Sequence, residues 1–176
     1  KAEEIRNALL SFKQSGKFVI SYTDYVLTQE AYYISTAADK IYVNPNAMME
    51  FKGLASEVVF FKNALEKLGV NVQVIRHGKF KGAVESFMLE SLSEENREQI
   101  KNYITGIWNH VSEQISSSRN ISTEKLNQLA DDLVAFNIEA ALEEGLIDRL
   151  MYKDELLEEL KSLTGAEGDK NPEQVA

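Results

Sequence analysis

Ile5, Leu9 and Phe12 recur at intervals of three and four, a spacing that predicts a helix, with Gly16 as its stop. Residues 17–22 (KFVISY) form a compact β-prone run and predict a buried strand. Residues 28–38 read as a second helix, packed through Ala31, Tyr32, Ile34, Ser35 and Ala38. Residues 40–43 (KIYV) predict a short strand closed by the turn Asn44-Pro45-Asn46. Residues 48–54 read as extended, with Gly53 permitting a bend. Val58, Phe61, Leu65 and Leu68 then predict an amphipathic helix over 57–68, ending at Gly69. Val70, Val72 and Val74 alternate with Asn71 and Gln73, which is strand periodicity.

The first half therefore reads α-β-α-β-α-β, which implies a mainly parallel sheet with helical crossovers. The second half reads as mostly helical. Ser93 can cap a long helix carrying Ile100, Tyr103, Ile104, Ile107, Trp108, Val111 and Ile115 on one stripe. Ser122 can cap a short helix with Leu126 and Leu129, and Asn137 another with Ala141 and Leu142, ended by Gly145. Residues 146–150 predict a brief strand and 154–163 a last helix. From Gly165 the tail (GAEGDKNPEQVA) has the small, polar composition of a linker.

Size and charge narrow the function classes. A chain of 176 residues makes one domain with at most a small appendage. The balance of 19 basic and 28 acidic side chains gives a net charge of −9, which argues against non-specific nucleic-acid binding. Zero cysteines exclude disulfides, thiolate metal sites and a cysteine nucleophile. No apolar run approaches the ~20 residues that span a bilayer. The chain starts at Lys1 in a helical pattern, without Met, and is expected to be a piece of a longer protein.

In a parallel sheet, ligands sit beyond the carboxyl ends of the strands. Two segments qualify, residues 23–30 and residues 76–83. The second gathers Arg76, His77, Lys79 and Lys81 in an otherwise acidic chain. A solvated basic loop explains that cluster as composition alone. A functional reading singles out Lys81, which precedes the small Gly82 and Ala83 and a helix start whose dipole disfavours an ammonium. A lysine neutralised by burial and neighbouring cations is a competent general base, at the cost of a shift from ~10.4 towards ~7. His77 and His110 show no metal-site spacing, and His110 reads as a surface residue of the long helix. Ser35 reads as core-facing or helix-bonded, and Ser86 carries no nucleophile signature.

The segment Gly78-Lys79-Phe80-Lys81-Gly82-Ala83-Val84-Glu85-Ser86-Phe87 resembles the G-x-Y-K-S-A-x-E-P-F motif of the signal peptide peptidase SppA family, the long bacterial protease IV type. Four further stretches agree in order and spacing. They are Ala31-Tyr32-Tyr33-Ile34-Ser35, Ala38-Asp39-Lys40-Ile41-Tyr42-Val43-Asn44-Pro45, Phe51-Lys52-Gly53-Leu54-Ala55 and Ala141-Leu142-Glu143-Glu144-Gly145-Leu146-Ile147-Asp148. The resemblance covers residues 5–150. Gly82 stands where the family has Ser, and Ser86 where it has Pro.

The resemblance implies a ClpP/crotonase-like α/β domain over 1–164, the first of a tandem pair, with 165–176 as the linker towards a second domain. It implies that Lys81 is the general base of a Ser–Lys dyad, whose serine comes from that second domain. The family's nucleophile motif, S-G-G-Y-W-I-S, falls on Gln29-Glu30-Ala31-Tyr32-Tyr33-Ile34-Ser35, so an amide takes the serine's position. The implied substrates are apolar signal peptides; Met48, Met49, Phe51, Phe60 and Phe61 are candidates to line their grooves, against the blander reading of core or subunit packing for each. The resemblance also implies a homo-oligomer, no cofactor, no metal and no nucleic-acid partner, at the bacterial inner membrane with the catalytic region facing the periplasm. Two alternatives are a non-catalytic assembly domain of the same superfamily and a crotonase-type acyl-CoA enzyme. The second lacks a recognisable CoA cleft or oxyanion constellation.

Overall fold

The computed structural model describes residues 1–73 and 82–165. They fall into two compact units, Lys1–Gly53 with Val111–Ala176, and Leu54–His110.

The first unit opens with α1 (Ala2–Lys13), followed by β1 (Ile20–Thr23), β2 (Val26–Leu27), α2 (Gln29–Ser35), β3 (Lys40–Val43) and β4 (Met48–Met49). It resumes in the last turns of α5 (Glu94–Arg119) and continues through α6 (Thr123–Asp131), α7 (Ile138–Glu143), β5 (Arg149–Leu150) and α8 (Lys153–Thr164). The sheet order is β1-β3-β5, all parallel, with Ile20 beside Lys40 and Tyr42 beside Arg149. A second parallel pair joins β2 to β4, Val26 beside Met48 and Leu27 beside Met49. Helices connect the parallel strands, as the alternating pattern requires.

The core gathers Leu27, Tyr32, Ile41, Val43, Met49 and Phe51 with Ile115, Leu126, Leu129, Leu146, Ile147 and Met151. Local capping fixes its helices. Thr28 accepts from Ala31 N–H at the start of α2, Ser122 from Lys125 N–H at α6, and Asn137 from Glu139 and Ala140 N–H at α7. Gly165 ends α8 in the left-handed region, φ +64°. The α1 spacing is helical as expected, but its apolar residues are not its anchor. Ile5 and Phe12 are exposed, whereas Arg6 is buried. Its guanidinium reaches Thr36 Oγ1 at 3.3 Å, Gln114 Oε1 at 2.8 Å and Ser118 Oγ, and lies 5.3 Å from the centre of the Tyr33 ring. Those bonds tie α1 to α2 and to the end of α5. The first strand starts at Ile20, later than its pattern suggests, and is half-buried rather than buried.

The second unit carries α3 (Lys62–Lys67), a 3-10 turn (Gly82–Val84), α4 (Glu85–Met88) and the first turns of α5. Here the structure corrects the sequence pattern. The helix expected over 57–68 spans only Lys62–Lys67, and residues 70–73 form no strand. Val74 lies outside the described residues. The apolar stripe of 57–68 is not buried: Phe61 and Leu68 are exposed and no residue of α3 is buried. Without burial there is little to hold a helix longer than its propensity supports. The long-helix stripe is likewise mostly solvent-facing at its start, with Tyr103 and Ile107 exposed and Ile115 alone of the expected apolar set buried.

Candidate active site

Lys81, with Arg76, His77 and Lys79, lies outside the described residues. The segment that follows it is built from Glu85. One carboxylate oxygen, Oε1, accepts from Ser93 Oγ at 2.6 Å, and the other accepts from Ser93 N–H at 3.1 Å and Asn96 Nδ2 at 3.2 Å. Ser93 Oγ in turn accepts from Asn96 N–H at 3.3 Å, the capping contact expected of it. Asn96, so held, sits hard against Gly82: a β-carbon added there would lie 2.4 Å from Asn96 Nδ2. Glycine at 82, where the family motif has Ser, leaves that space to the Asn96 amide, which would have to shift to admit a larger residue. The motif's Glu thus has a visible task in this chain, anchoring α4 to the start of α5. Phe87 stacks on Phe61 with ring centres 5.7 Å apart, and Phe61 N–H donates to Ser86 carbonyl at 2.7 Å. Ser93 was legible in the sequence as a helix cap, but its bond to Glu85 was not, because it joins two separate helices and no periodicity within one element reports such a contact.

The position that the resemblance assigns to a nucleophile lies at the start of α2. Gln29 is the first residue of α2 and half-buried. Its Oε1 accepts from Lys52 N–H at 2.8 Å and from Gly53 N–H at 3.0 Å, while its Nε2 donates to Gly53 carbonyl at 2.9 Å. Gly53 has φ +76°, a conformation that disfavours any side chain. A carboxamide has no nucleophilic oxygen of useful strength, and here both of its ends are engaged. Ser35 Oγ accepts from Ser21 Oγ of β1 at 2.7 Å and is buried, the core-facing of the two roles expected of it. Of the apolar groove candidates, Met49 and Phe51 are fully buried core, Phe60 is half-buried, and Met48 and Phe61 are exposed.

The Gly-Leu-Ile-Asp stretch is absorbed by structure. Asp148 N–H donates to Ile41 carbonyl at 2.9 Å, and Asp148 Oδ2 accepts from Ile41 N–H at 2.8 Å and from Arg119 Nη1 at 2.9 Å. Arg119 also donates to Gly145 carbonyl from Nε and Nη2, at 3.2 and 2.8 Å. Leu146 and Ile147 between them are buried. At the carboxyl ends of β1 and β3, Asp24 Oδ1 accepts from Asn44 Nδ2 at 2.7 Å and from Tyr22 hydroxyl at 3.2 Å. Desolvation is the main cause that raises the Tyr22 pKa, so this phenol stays protonated and serves as a donor. Among the described residues no group of His, Asp and Glu side chains is placed to hold a metal ion. Among the same residues no helix is long and apolar enough to cross a membrane.

The chain is similar to known proteins over nearly its whole length. It is 34% identical over 170 residues to the chloroplastic serine protease SPPA of Arabidopsis thaliana, covering 97% of this chain and 25% of the relative. It is 31% identical over 172 residues to protease 4 of Haemophilus influenzae, covering 94% of this chain and 28% of the relative. With protease 4 of Salmonella typhi it shares 33% identity over 122 residues, 69% of this chain and 20% of the relative. The chain thus spans about a quarter of the length of the first two of these relatives. The parallel strands joined by helices are the ClpP/crotonase-like arrangement that the motifs imply. Residues 11–167 match peptidase family S49, and the chain belongs to that family.

Proposed function

We propose that this chain is one domain of a serine endopeptidase that degrades cleaved signal peptides, and that it contributes the general base, Lys81, to a Ser–Lys dyad. The serine comes from a second domain of the same kind, joined through 165–176. Neutral Lys81 takes the proton of the serine hydroxyl as Oγ attacks the peptide carbonyl. The resulting ammonium gives that proton to the leaving amine, and water then releases the acyl group by the reverse roles. The reaction needs no cofactor. The observation that carries this reading is at residue 29. The nucleophile's position holds an amide committed to hydrogen bonds, while the lysine motif is kept at Lys81. A domain with the base and without the nucleophile is half of a dyad.

The parent protein, on this reading, sits at the bacterial inner membrane with its catalytic region in the periplasm and assembles as an oligomer. The Leu54–His110 unit supports the assembly. None of its described side chains is buried, and Val59, Phe61, Leu68, Val70, Phe87 and Tyr103 are exposed. The same surface favours the second reading, a purely structural assembly domain in which Lys81 is an ordinary loop lysine.

Lys81→Ala in the full-length protein separates the two. General-base removal is expected to lower kcat by about 10²–10⁴-fold while sedimentation shows an unchanged assembly. Near-normal turnover of signal peptides by that variant rejects Lys81 as the base and leaves the structural reading.

A further inference from the structure

The bonds made by Gln29 continue a ladder. Met48 N–H donates to Tyr25 carbonyl and Glu50 N–H to Leu27 carbonyl, each at 2.9 Å. Along β4 and the residues that follow it, alternate N–H groups face β2. The next rung belongs to Lys52 N–H, but at residue 29 the main chain has already turned into α2. The Gln29 side-chain oxygen takes the rung instead, at 2.8 Å. Gly53 N–H converges on that same oxygen at 3.0 Å, and Gly53 carbonyl receives the amide nitrogen at 2.9 Å.

Two main-chain N–H groups aimed at one oxygen, both within the ~2.7–3.1 Å that defines an oxyanion-type donor pair, form a site for a carbonyl or its oxyanion. A primary amide that accepts from Gly53 N–H and donates to Gly53 carbonyl also satisfies both main-chain groups of that residue. A neighbouring residue of an extended peptide would satisfy the same two groups. We propose that the Gln29 carboxamide is a built-in stand-in for a peptide carbonyl, which closes the Lys52–Gly53 donor pair of this domain to extended peptide. The proposal rests on the reading that the parent protein acts on peptides, and it assigns to residue 29 more than the loss of a nucleophile. The amide keeps a non-productive peptide site shut, so that peptide engages where the serine is.

The test is amide-resolved NMR of the full 176-residue chain titrated with an N-acetylated trileucine amide. Wild type is expected to show no saturable shifts at Lys52 and Gly53. Gln29→Ala is expected to show saturable shifts centred on those two amides, with affinity at least tenfold above wild type. Gln29→Glu, which keeps an acceptor oxygen over both N–H groups, is expected to stay closed. A folded Gln29→Ala that does not bind, a wild type that binds equally, or a Gln29→Glu that opens like Gln29→Ala each overturns the proposal. If Gln29→Ala does not give a dispersed spectrum, Gln29→Ser carries the same comparison. No cleavage is read, so a negative result here leaves the Lys81 assignment standing, and a negative Lys81→Ala result leaves this titration interpretable.

Discussion

At residue 29 a side chain does what the main chain does at residues 25 and 27, accepting from alternate N–H groups of residues 48–52. Residue type alone tells that Gln cannot replace a serine nucleophile. It does not tell where the amide goes, because the groups that bind it are main-chain atoms of Lys52 and Gly53, whose side chains carry no trace of that task. Tyr32, two positions from Glu30 on the same helix, shows the converse. Its size marked it as packing, and it is fully buried, edge-on to Phe51 with ring centres 5.7 Å apart. Yet its hydroxyl has no hydrogen-bond partner among the described residues. Burial is the main cause that raises its pKa, with Arg119 opposing and Asp148 adding to the shift. An unpaired buried hydroxyl costs roughly 1–3 kcal/mol, and replacing it by hydrogen keeps the ring and its contacts. Tyr32→Phe is therefore expected to be neutral or to raise the unfolding free energy by about 1 kcal/mol, read from urea midpoints at pH 7. A loss of more than about 1 kcal/mol rejects the unpaired state of that hydroxyl.

Elements that depend on adjacent residues were legible from sequence, and those that depend on distant packing were not. Ser93, Ser122 and Asn137 cap the helices assigned to them, and β3 begins and ends where its pattern does. The period of Val58, Phe61, Leu65 and Leu68 was equally regular, but α3 covers only part of it because no core receives that face. Periodicity reports which face could be buried, and tertiary contact decides whether it is. The link between α1 and the sheet was invisible for a related reason, since it runs through one charged pair. Asp39 accepts from Val19 N–H at 2.8 Å, and Lys13 Nζ lies 2.8 Å from its other oxygen. Burial pulls the Asp39 pKa up, but the Lys13 and Val19 hydrogen bonds and the Lys13 charge outweigh it, so the carboxyl sits below its ordinary range. A depressed folded-state pKa gives stability that is present above the unfolded value, ~3.9, and lost as pH falls through the folded one. Asp39→Asn is thus expected to lower stability at pH 7 while flattening its loss below pH ~4, followed by circular dichroism across acid titration. An acid transition as steep as that of wild type counts against the pair.

Taken whole, the chain divides its apolar residues unequally. The unit made of Lys1–Gly53 and Val111–Ala176 holds every buried residue of the core, whereas no described side chain of Leu54–His110 is buried. Average composition hid this, because 44% hydrophobic residues is ordinary for a packed domain and says nothing of where they lie. It also hid the weight of the net charge of −9, which bears on solubility and not on the dyad proposed around Lys81. Family membership was legible because the motifs are local. The unequal division has a consequence for dynamics. Segments with little buried apolar area open with free energies far below that of the global transition, while core strands exchange only through larger openings. Amides of α3 and α4 are therefore expected to exchange with protection at least ~10²-fold below those of β3 and α6 in the isolated chain, at pH and temperature where the fold is intact. In the assembled full-length protein, where the exposed faces of Phe61, Leu68 and Phe87 meet a partner on the reading proposed above, the same amides gain protection and β3 does not change. Equal protection of α3 and β3 in the isolated chain requires that this unit hold itself together without a buried core, and rejects the expectation.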